Sequence, residues 1–154
     1  MPDVTTSLST ELITCLQSET LVLLSTIDAE QGGPVTSAIS WVYAIDQHQV
    51  RFAVDGRSRI VLNIRANPLV NATVIANGTV NVIYGSARIV QDSLEGVPFA
   101  LVCIDIQVET VRDSMFYGAK ISVHPEYEKT YDLRAAKKLD QQVFTAMKSV
   151  PMIK

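Results

Sequence analysis

The chain has 154 residues, of which 47% are hydrophobic, and a formal net charge of −3. A chain of this length can bury roughly 68–70% of its unfolded surface, so its core needs no metal or disulfide. The pI near 5.3 argues against nucleic-acid binding, which requires a basic face to displace counterions. Charged residues are 19%, below the roughly 25% typical of soluble domains, which predicts that a second copy covers apolar surface.

No segment has the pattern of a membrane span or an export signal. The longest apolar run, Val97–Ile104, is far short of the ~20 residues that cross a bilayer. Met1–Ser18 lacks the basic and apolar blocks of a secretory signal. The two cysteines, Cys15 and Cys103, are expected to be core thiols rather than a disulfide or a nucleophile. We expect one domain, 1–154, in the cytoplasm, with no nucleic-acid or membrane partner.

The first half of the chain predicts one short helix and three strands. Ser9 is a suitable N-cap for a helix whose apolar face has the spacing of Leu12, Ile13, Leu16 and Gln17. A β-branched strand over Thr20–Asp28 follows, and the glycines and proline of 31–34 predict a turn. Val35–Ile45 and Gln49–Val54 then read as two strands.

The second half predicts a helix, three more strands and a final helix. Residues 57–66 have helical spacing, and Asn67-Pro68 ends the helix. Its apolar side consists of Ile60, Val61 and Ile64, and Asn63 is predicted to lie away from that side. Asn77-Gly78 predicts a hairpin between strands Val70–Ala76 and Val80–Val90. A strand over Phe99–Arg112 and a loop over 113–129 follow. Asp132 caps an amphipathic helix with the stripe Leu133, Ala136, Leu139, Val143, Ala146 or Met147, and Val150.

This order of elements predicts a mainly β fold with short flanking helices and a C-terminal helix. Six strands of this length, mostly linked by hairpins, favour a small closed or half-closed antiparallel barrel. An open sandwich is the alternative. The barrel is favoured because it leaves fewer strand edges to protect.

The turn Asp55–Arg59 is the best candidate for an anion site. A strand ends at Asp55, Gly56 turns the chain, and Arg57-Ser58-Arg59 opens a helix. Helix N-termini expose unpaired N–H groups that attract anions, and a hydroxyl and a guanidinium add donors for phosphate oxygens. The alternative is that Ser58 only caps the helix while both arginines are solvated.

A wider pattern carries a family resemblance. The stretch Phe52-Ala-Val-Asp-Gly-Arg-Ser-Arg59, followed by Asn67-Pro68, resembles the FMN-binding split barrels of the pyridoxamine 5'-phosphate oxidase-like family. The strands Ala38–Tyr43 and Gly85–Val90 are also similar, and the order of elements agrees over Leu12–Arg112. The resemblance implies a six-stranded antiparallel split β-barrel and a homodimer with FMN bound between its subunits.

The resemblance also implies roles for individual residues. Ser58 and Arg59 would hold the phosphate, and Arg57 would replace a missing cation. The ribityl or phosphate region would lie at Ala53 and Val54. Tyr117 either covers the ring from the partner chain or anchors its own loop. The ring edge would lie along Ala38, Ile39, Ser40 and Trp41, although a lone tryptophan in a strand is also typical of a core or an interface.

Departures from the family pattern leave several functions open. Ile60, Ala38 and Tyr43 stand where family oxidases carry cations, and the oxidases' C-terminal Arg-x-His motif is absent. We therefore predict an FMN-dependent oxidoreductase acting on a small substrate other than pyridoxamine phosphate, with catalytic residues unassigned. The alternatives are a non-catalytic dimer that binds, stores or senses flavin or has lost it, and a haem or deazaflavin binder. No metal site is predicted, because His48 and His124 lack a third ligand at suitable spacing.

Overall fold

The computed structural model describes residues 4–152, which form one antiparallel sheet and three helices. The strands are β1 (Val4–Thr5), β2 (Val22–Ile27), β3 (Pro34–Ile39), β4 (Val42–Ala44), β5 (Gln49–Asp55), β6 (Leu69–Ala76), β7 (Thr79–Gln91) and β8 (Leu101–Asp113). The helices are α1 (Thr10–Cys15), α2 (Arg59–Ala66) and α3 (Leu133–Ser149). None of the helices within these residues is both long and apolar enough to cross a bilayer.

The sheet is a half-barrel whose two edge strands follow one another in the chain. Its order is β3-β2-β6-β7-β8-β5-β4, and β1 pairs with β8. Only Ser40 and Trp41 separate β3 from β4, so the two edges of the sheet must approach each other at this connection. The prediction of a mainly β, antiparallel split barrel with a C-terminal helix is confirmed.

The six predicted strands become eight among the described residues. The predicted strand Val35–Ile45 is divided because β3 pairs with β2, at Ile39 opposite Val22, whereas β4 pairs with β5, at Val42 opposite Phe52. The chain therefore changes partners at Ser40-Trp41. The additional strand β1 has two residues, too few to show any periodicity.

The apolar core has two parts, and β5 contributes to both. Inside the curled sheet, Phe52 and Val54 pack with residues of α1 and α2. On the outer face, Ala53 packs with Cys103 of β8 and with the buried side of α3. Six of the seven residues of β5 are buried, so the strand shows no alternation of buried and exposed residues.

The helix caps follow the predictions closely. Ser9 Oγ accepts a hydrogen bond from Leu12 N at 3.1 Å, and Asp132 Oδ1 accepts one from Ala135 N at 3.0 Å. α2 begins at Arg59, two residues later than predicted, because Ser58 is its N-cap, and Asn67 before Pro68 is its C-cap. The hairpin prediction is also confirmed, since Asn77 and Gly78 have φ values of 55° and 77°.

The predicted apolar stripe of α3 is confirmed along most of the helix. Ala136, Val143, Ala146 and Met147 are buried, and so is the C-cap residue Val150. The prediction is wrong at Leu133, which is 72% exposed. Leu133 is the first residue of α3, ahead of the turns that pack on the sheet.

A buried ion pair fastens the end of α3 to the sheet. Arg51 of β5 donates to both carboxylate oxygens of Asp105 of β8, at 2.6 and 2.9 Å. Its third nitrogen donates to the carbonyls of Met147 and Val150 at 2.9 and 2.6 Å, so the guanidinium also satisfies carbonyls at the end of α3. Burial lowers the pKa of Arg51, but the hydrogen bond and charge of Asp105, together with smaller effects of Cys103 and Tyr43, raise it above its ordinary value, so the group stays charged although its side chain is 1% exposed.

We predict that Arg51→Ala lowers the free energy of unfolding by about 3–5 kcal/mol, because Asp105 would be left buried without its partner. Urea denaturation measures this change. Arg65→Ala is the matched control, since it breaks an exposed ion pair with Asp92 and should cost no more than about 1 kcal/mol. Equal costs for the two substitutions would contradict this account of α3 docking.

Candidate functional site

A cavity of about 330 Å³ opens where the half-barrel is split. The end of β3, the connection to β4, the end of β5 and the N-terminus of α2 surround it, and its lining is Ala38, Ile39, Ser40, Trp41, Ala53, Val54, Asp55 and Ser58. Its volume lies at the lower end of the roughly 300–1,000 Å³ found for small-molecule sites. A larger groove of about 750 Å³ runs beside α3, but Ala146 and Val150 are its only apolar side chains and the others in its lining are polar.

The change of partner strands after β3 forms one wall of the cavity. Ser40 and Trp41 lie between the last pair of β3 and the first pair of β4. Ala53 N donates to Trp41 O at 3.0 Å, which holds this connection against β5. The structure thus brings together all the residues that the sequence assigned to the ring edge and to the ribityl region.

Ser58 stands at the polar end of the cavity. Its hydroxyl oxygen accepts a hydrogen bond from Ile60 N at 3.0 Å, and its own N–H donates to Asp55 O at 2.9 Å. The capping role considered from the sequence is therefore real. It does not exclude ligand binding, because a serine hydroxyl that accepts a hydrogen bond still has a proton to donate.

A buried asparagine fixes α2, and with it Ser58. Asn63 is fully buried, and its amide group donates to Thr26 Oγ1 of β2 at 3.0 Å. Its carbonyl oxygen accepts from Ala29 N at 3.0 Å. The prediction that Asn63 lies away from the buried side of the helix is wrong, because both ends of its amide are satisfied in the interior.

The two arginines of the turn are engaged by carboxylates. Arg57 donates to both oxygens of Asp55, at 3.2 and 3.1 Å, and its side chain is 92% exposed. Arg59 lies 2.5 Å from Asp28 and 3.8 Å from Glu30. Neither arginine lines the cavity, so their predicted phosphate contacts remain predictions. A phosphate at the turn would have to share these groups with three carboxylates.

These ion pairs shift the acidities of the carboxylates. The hydrogen bond from Arg59, followed by the N–H of Gln31, lowers the pKa of Asp28 below its ordinary value of 3.8. The side chain and then the N–H of Arg57 lower the pKa of Asp55 in the same way. Asp55 is therefore ionised at neutral pH, and its carboxylate is an acceptor at the edge of the cavity.

Tyr117 lies outside the cavity of its own chain. It is fully exposed, so the alternative in which it anchors its loop is wrong. The loop is held elsewhere, by Ile121 N donating to Gly78 O at 2.6 Å and by Gly78 N donating to His124 Nε2 at 3.0 Å. Contact between Tyr117 and a ligand of the partner chain stays a prediction.

The other reactive groups of the described region do not form a second site. Burial raises the pKa of Cys103 to about 12, so its thiol is not a nucleophile at neutral pH. Cys15 is also a free thiol. Within residues 4–152, no three His, Cys, Asp or Glu side chains are grouped so that they could hold a metal ion.

The sequence analysis missed the acidic partners of the site. The Asp55 carboxylate accepts a hydrogen bond from Arg57 N at 2.8 Å. The sequence could have indicated this turn contact, because aspartate often binds the backbone N–H two residues further along the chain. Asp28 is 31 residues from Arg59, and no local pattern connects them. Asp140 of α3, which accepts a hydrogen bond from the Trp41 indole, is separated from it by 99 residues.

Comparisons with known proteins agree on the region that contains the cavity. A family model described as pyridoxamine 5'-phosphate oxidase matches residues 8–113. A search of curated proteins found no match.

Several solved structures have a similar fold. A candidate pyridoxamine 5'-phosphate oxidase from Lactobacillus delbrueckii has 18% identity and a TM-score of 0.59, covering 70% of this chain and 94% of its own. General Stress Protein 26 from Bacillus anthracis has 16% identity and a TM-score of 0.53, covering 67% and 91%. An F420 reductase has 21% identity and a TM-score of 0.55, covering 64% and 93%. At these identities the likeness shows the fold.

We predict that Arg59→Met raises the pKa of Asp28 towards 3.8 and leaves the pKa of Asp55 unchanged. Arg57→Met should raise the pKa of Asp55 and leave that of Asp28 unchanged. Carboxyl NMR titrations measure both. Because the folded pKa is lowered, each pair stabilises the protein above pH 3.8, and this contribution is lost as the pH falls through the folded pKa. Unchanged titrations in both variants would show that these ion pairs are not formed in solution.

Proposed function

Because the chain belongs to the pyridoxamine 5'-phosphate oxidase family, we propose that it binds FMN in the cavity at the split and acts as a flavin-dependent oxidoreductase on a small substrate. One observation supports this most strongly. The residues expected to contact the ring and the ribityl chain, which come from separate strands, meet in a single cavity with Ser58 at one end.

The lining of the cavity suits a ligand with a flat apolar ring and an anionic tail. Ala38, Ile39, Ala53 and Val54 offer apolar contact for a ring, and Trp41 adds an aromatic side chain. At the other end, the Ser58 hydroxyl and the N-terminus of α2 offer donors to a phosphate. The residues present therefore fit FMN.

We also propose that two copies of the chain complete the site. The cavity is open, and its volume is at the low end for a cofactor site. Apolar side chains of the loop after β8 are exposed, among them Phe116 at 71% and Val123 at 80%. A partner chain would cover such surface and close the ring end of the cavity. Sedimentation analysis should find a dimer, and a monomer at all concentrations would contradict this.

FMN would supply the electron or hydride transfer, and the chain would bind it, orient it and exclude water. Asp55 is the one ionisable side chain among the described residues that line the cavity. Its lowered pKa makes it an acceptor rather than a proton donor. A proton required by the substrate would then come from solvent, from the partner chain or from the substrate itself.

A non-catalytic flavin carrier or sensor is the second candidate. It is favoured by the carboxylates that already engage Arg57 and Arg59, since they would weaken phosphate binding and make it readily reversible. Flavin binding would also be weakened because three positions at which family oxidases carry a cation have none here, namely Ile60, Ala38 and Tyr43.

The visible absorbance spectrum of the purified protein, followed by titration with FMN, a deazaflavin and haemin, distinguishes these functions. A flavin spectrum that is bleached by a nicotinamide donor supports the oxidoreductase. Bound FMN that no donor reduces supports the carrier or sensor. Preference for the deazaflavin or for haemin, or failure to bind any of the three, contradicts the proposal.

We predict that Ser58→Ala weakens FMN binding about tenfold, the loss expected for one hydrogen bond to a charged group. Riboflavin, which lacks the phosphate, should bind both proteins equally. Calorimetric titration measures the two affinities.

Ser9→Ala is the matched control for Ser58→Ala. It removes the N-cap of α1, at a similar cost of about 1 kcal/mol in stability, and is expected to leave FMN affinity unchanged. An equal loss of affinity for FMN and riboflavin in Ser58→Ala would show that Ser58 does not hold the phosphate.

A further inference from the structure

A hydrogen bond joins the wall of the cavity to the C-terminal helix. The indole N–H of Trp41 donates to Asp140 Oδ1 of α3 at 2.9 Å. The other carboxylate oxygen of Asp140 lies 3.0 Å from Lys129 Nζ, which in turn lies 2.6 Å from Glu19. The Asp140 side chain is only 14% exposed, so this contact is largely shielded from water.

Trp41 is constrained at both ends of its side chain. Its side chain packs against the outer part of the core, the same cluster against which Leu139 and Phe144 of α3 pack. Its N–H is held by a carboxylate, a stronger partner than a neutral acceptor. A tryptophan constrained in this way has one orientation, so Trp41 is a fixed part of the cavity lining.

Helix α3 lies outside the segment that the family model matches, residues 8–113. No residue of α3 lines the cavity directly. Helix α3 contacts the lining at two residues. It accepts the hydrogen bond of Trp41, and its buried side chains belong to the same apolar cluster as Ala53. Of these two side chains only the indole can rotate, so the position of Trp41 is the property that α3 can control.

We propose that Asp140 is a positioning residue for cofactor binding: it holds the Trp41 indole in place, so that α3 sets the shape of the ring end of the cavity. This inference rests on the proposed function. Lys129 supports the arrangement by binding the second oxygen of Asp140, which prevents the carboxylate from turning away. Since Trp41 lines the cavity away from the phosphate position, the affinity for every flavin should depend on Asp140, whether or not the flavin carries a phosphate.

The test compares Asp140→Ala with Asp140→Asn, whose amide oxygen can still accept the indole hydrogen bond. Trp41 is the only tryptophan of the chain, so its fluorescence reports its environment without a cofactor. In Asp140→Ala we expect a red-shifted emission, faster quenching by acrylamide, and an affinity about tenfold lower for both FMN and riboflavin. Asp140→Asn should stay close to the wild type in all of these.

Asp132→Ala is the control for a general loss of helix stability. It removes the N-cap of α3 but does not touch Trp41, so emission and flavin affinity should not change. If Asp140→Ala fails to fold, Lys129→Met replaces it, and a smaller change in the same direction is expected. The inference alone would be overturned if Asp132→Ala lost the same affinity. It would also be overturned if Asp140→Ala, or Lys129→Met in its place, kept the emission and affinity of the wild type. Failure of the wild type to bind any flavin would overturn the proposed function, and this inference with it.

Discussion

The buried pair of Arg51 and Asp105 is the interaction on which the position of α3 depends. One guanidinium neutralises a carboxylate in the sheet and also satisfies carbonyls at the end of the helix. Because β5 also lines the cavity at Ala53 and Val54, the strand that fastens α3 is the strand that shapes the site. The hydrogen bond between Trp41 and Asp140 is a second link between the same helix and the same cavity. The C-terminal helix is thus part of the structure of the site, although it lies at its outer side.

The electrostatics of the turn at Ser58 distinguish this chain from a simple anion site. Arg57 is held by Asp55, and Arg59 is held by Asp28 and Glu30. Such pairing fixes the arginines near the turn, but it also places negative charge beside the proposed phosphate position. The Arg59 side chain is 56% exposed and can still bind a further oxygen. Affinity for a phosphate ester then depends on whether Arg59 can bind the phosphate while it also binds Asp28. The donors at Ser58 and at the helix N-terminus therefore become more important for holding the phosphate.

Local signals in the sequence were sufficient for most elements, whereas the residues that line the cavity were predicted from the family resemblance. The hairpin at Asn77-Gly78 and the N-caps at Ser9, Ser58 and Asp132 each depend on a few consecutive residues, and all are present. The break at Ser40-Trp41 could not be predicted from the residues themselves, because it arises where the chain exchanges one partner strand for another.

Contacts between distant residues were the main limit of the sequence analysis. Asn63 looked like a surface residue, since its partners Thr26 and Ala29 belong to another part of the chain. Asp28 and Asp140 were missed for the same reason, and both control side chains that the sequence had placed at the site. The sequence thus identified most of the residues that line the cavity but not the groups that hold them.

The most direct test of the account is a crystal structure of the protein grown with FMN. We predict that the phosphate lies within hydrogen-bond distance of Ser58 Oγ, at the N-terminus of α2, and that the ring lies along Ala38–Trp41 in the cavity at the split. FMN bound at another surface, or bound in the cavity with its phosphate away from Ser58, would contradict the account.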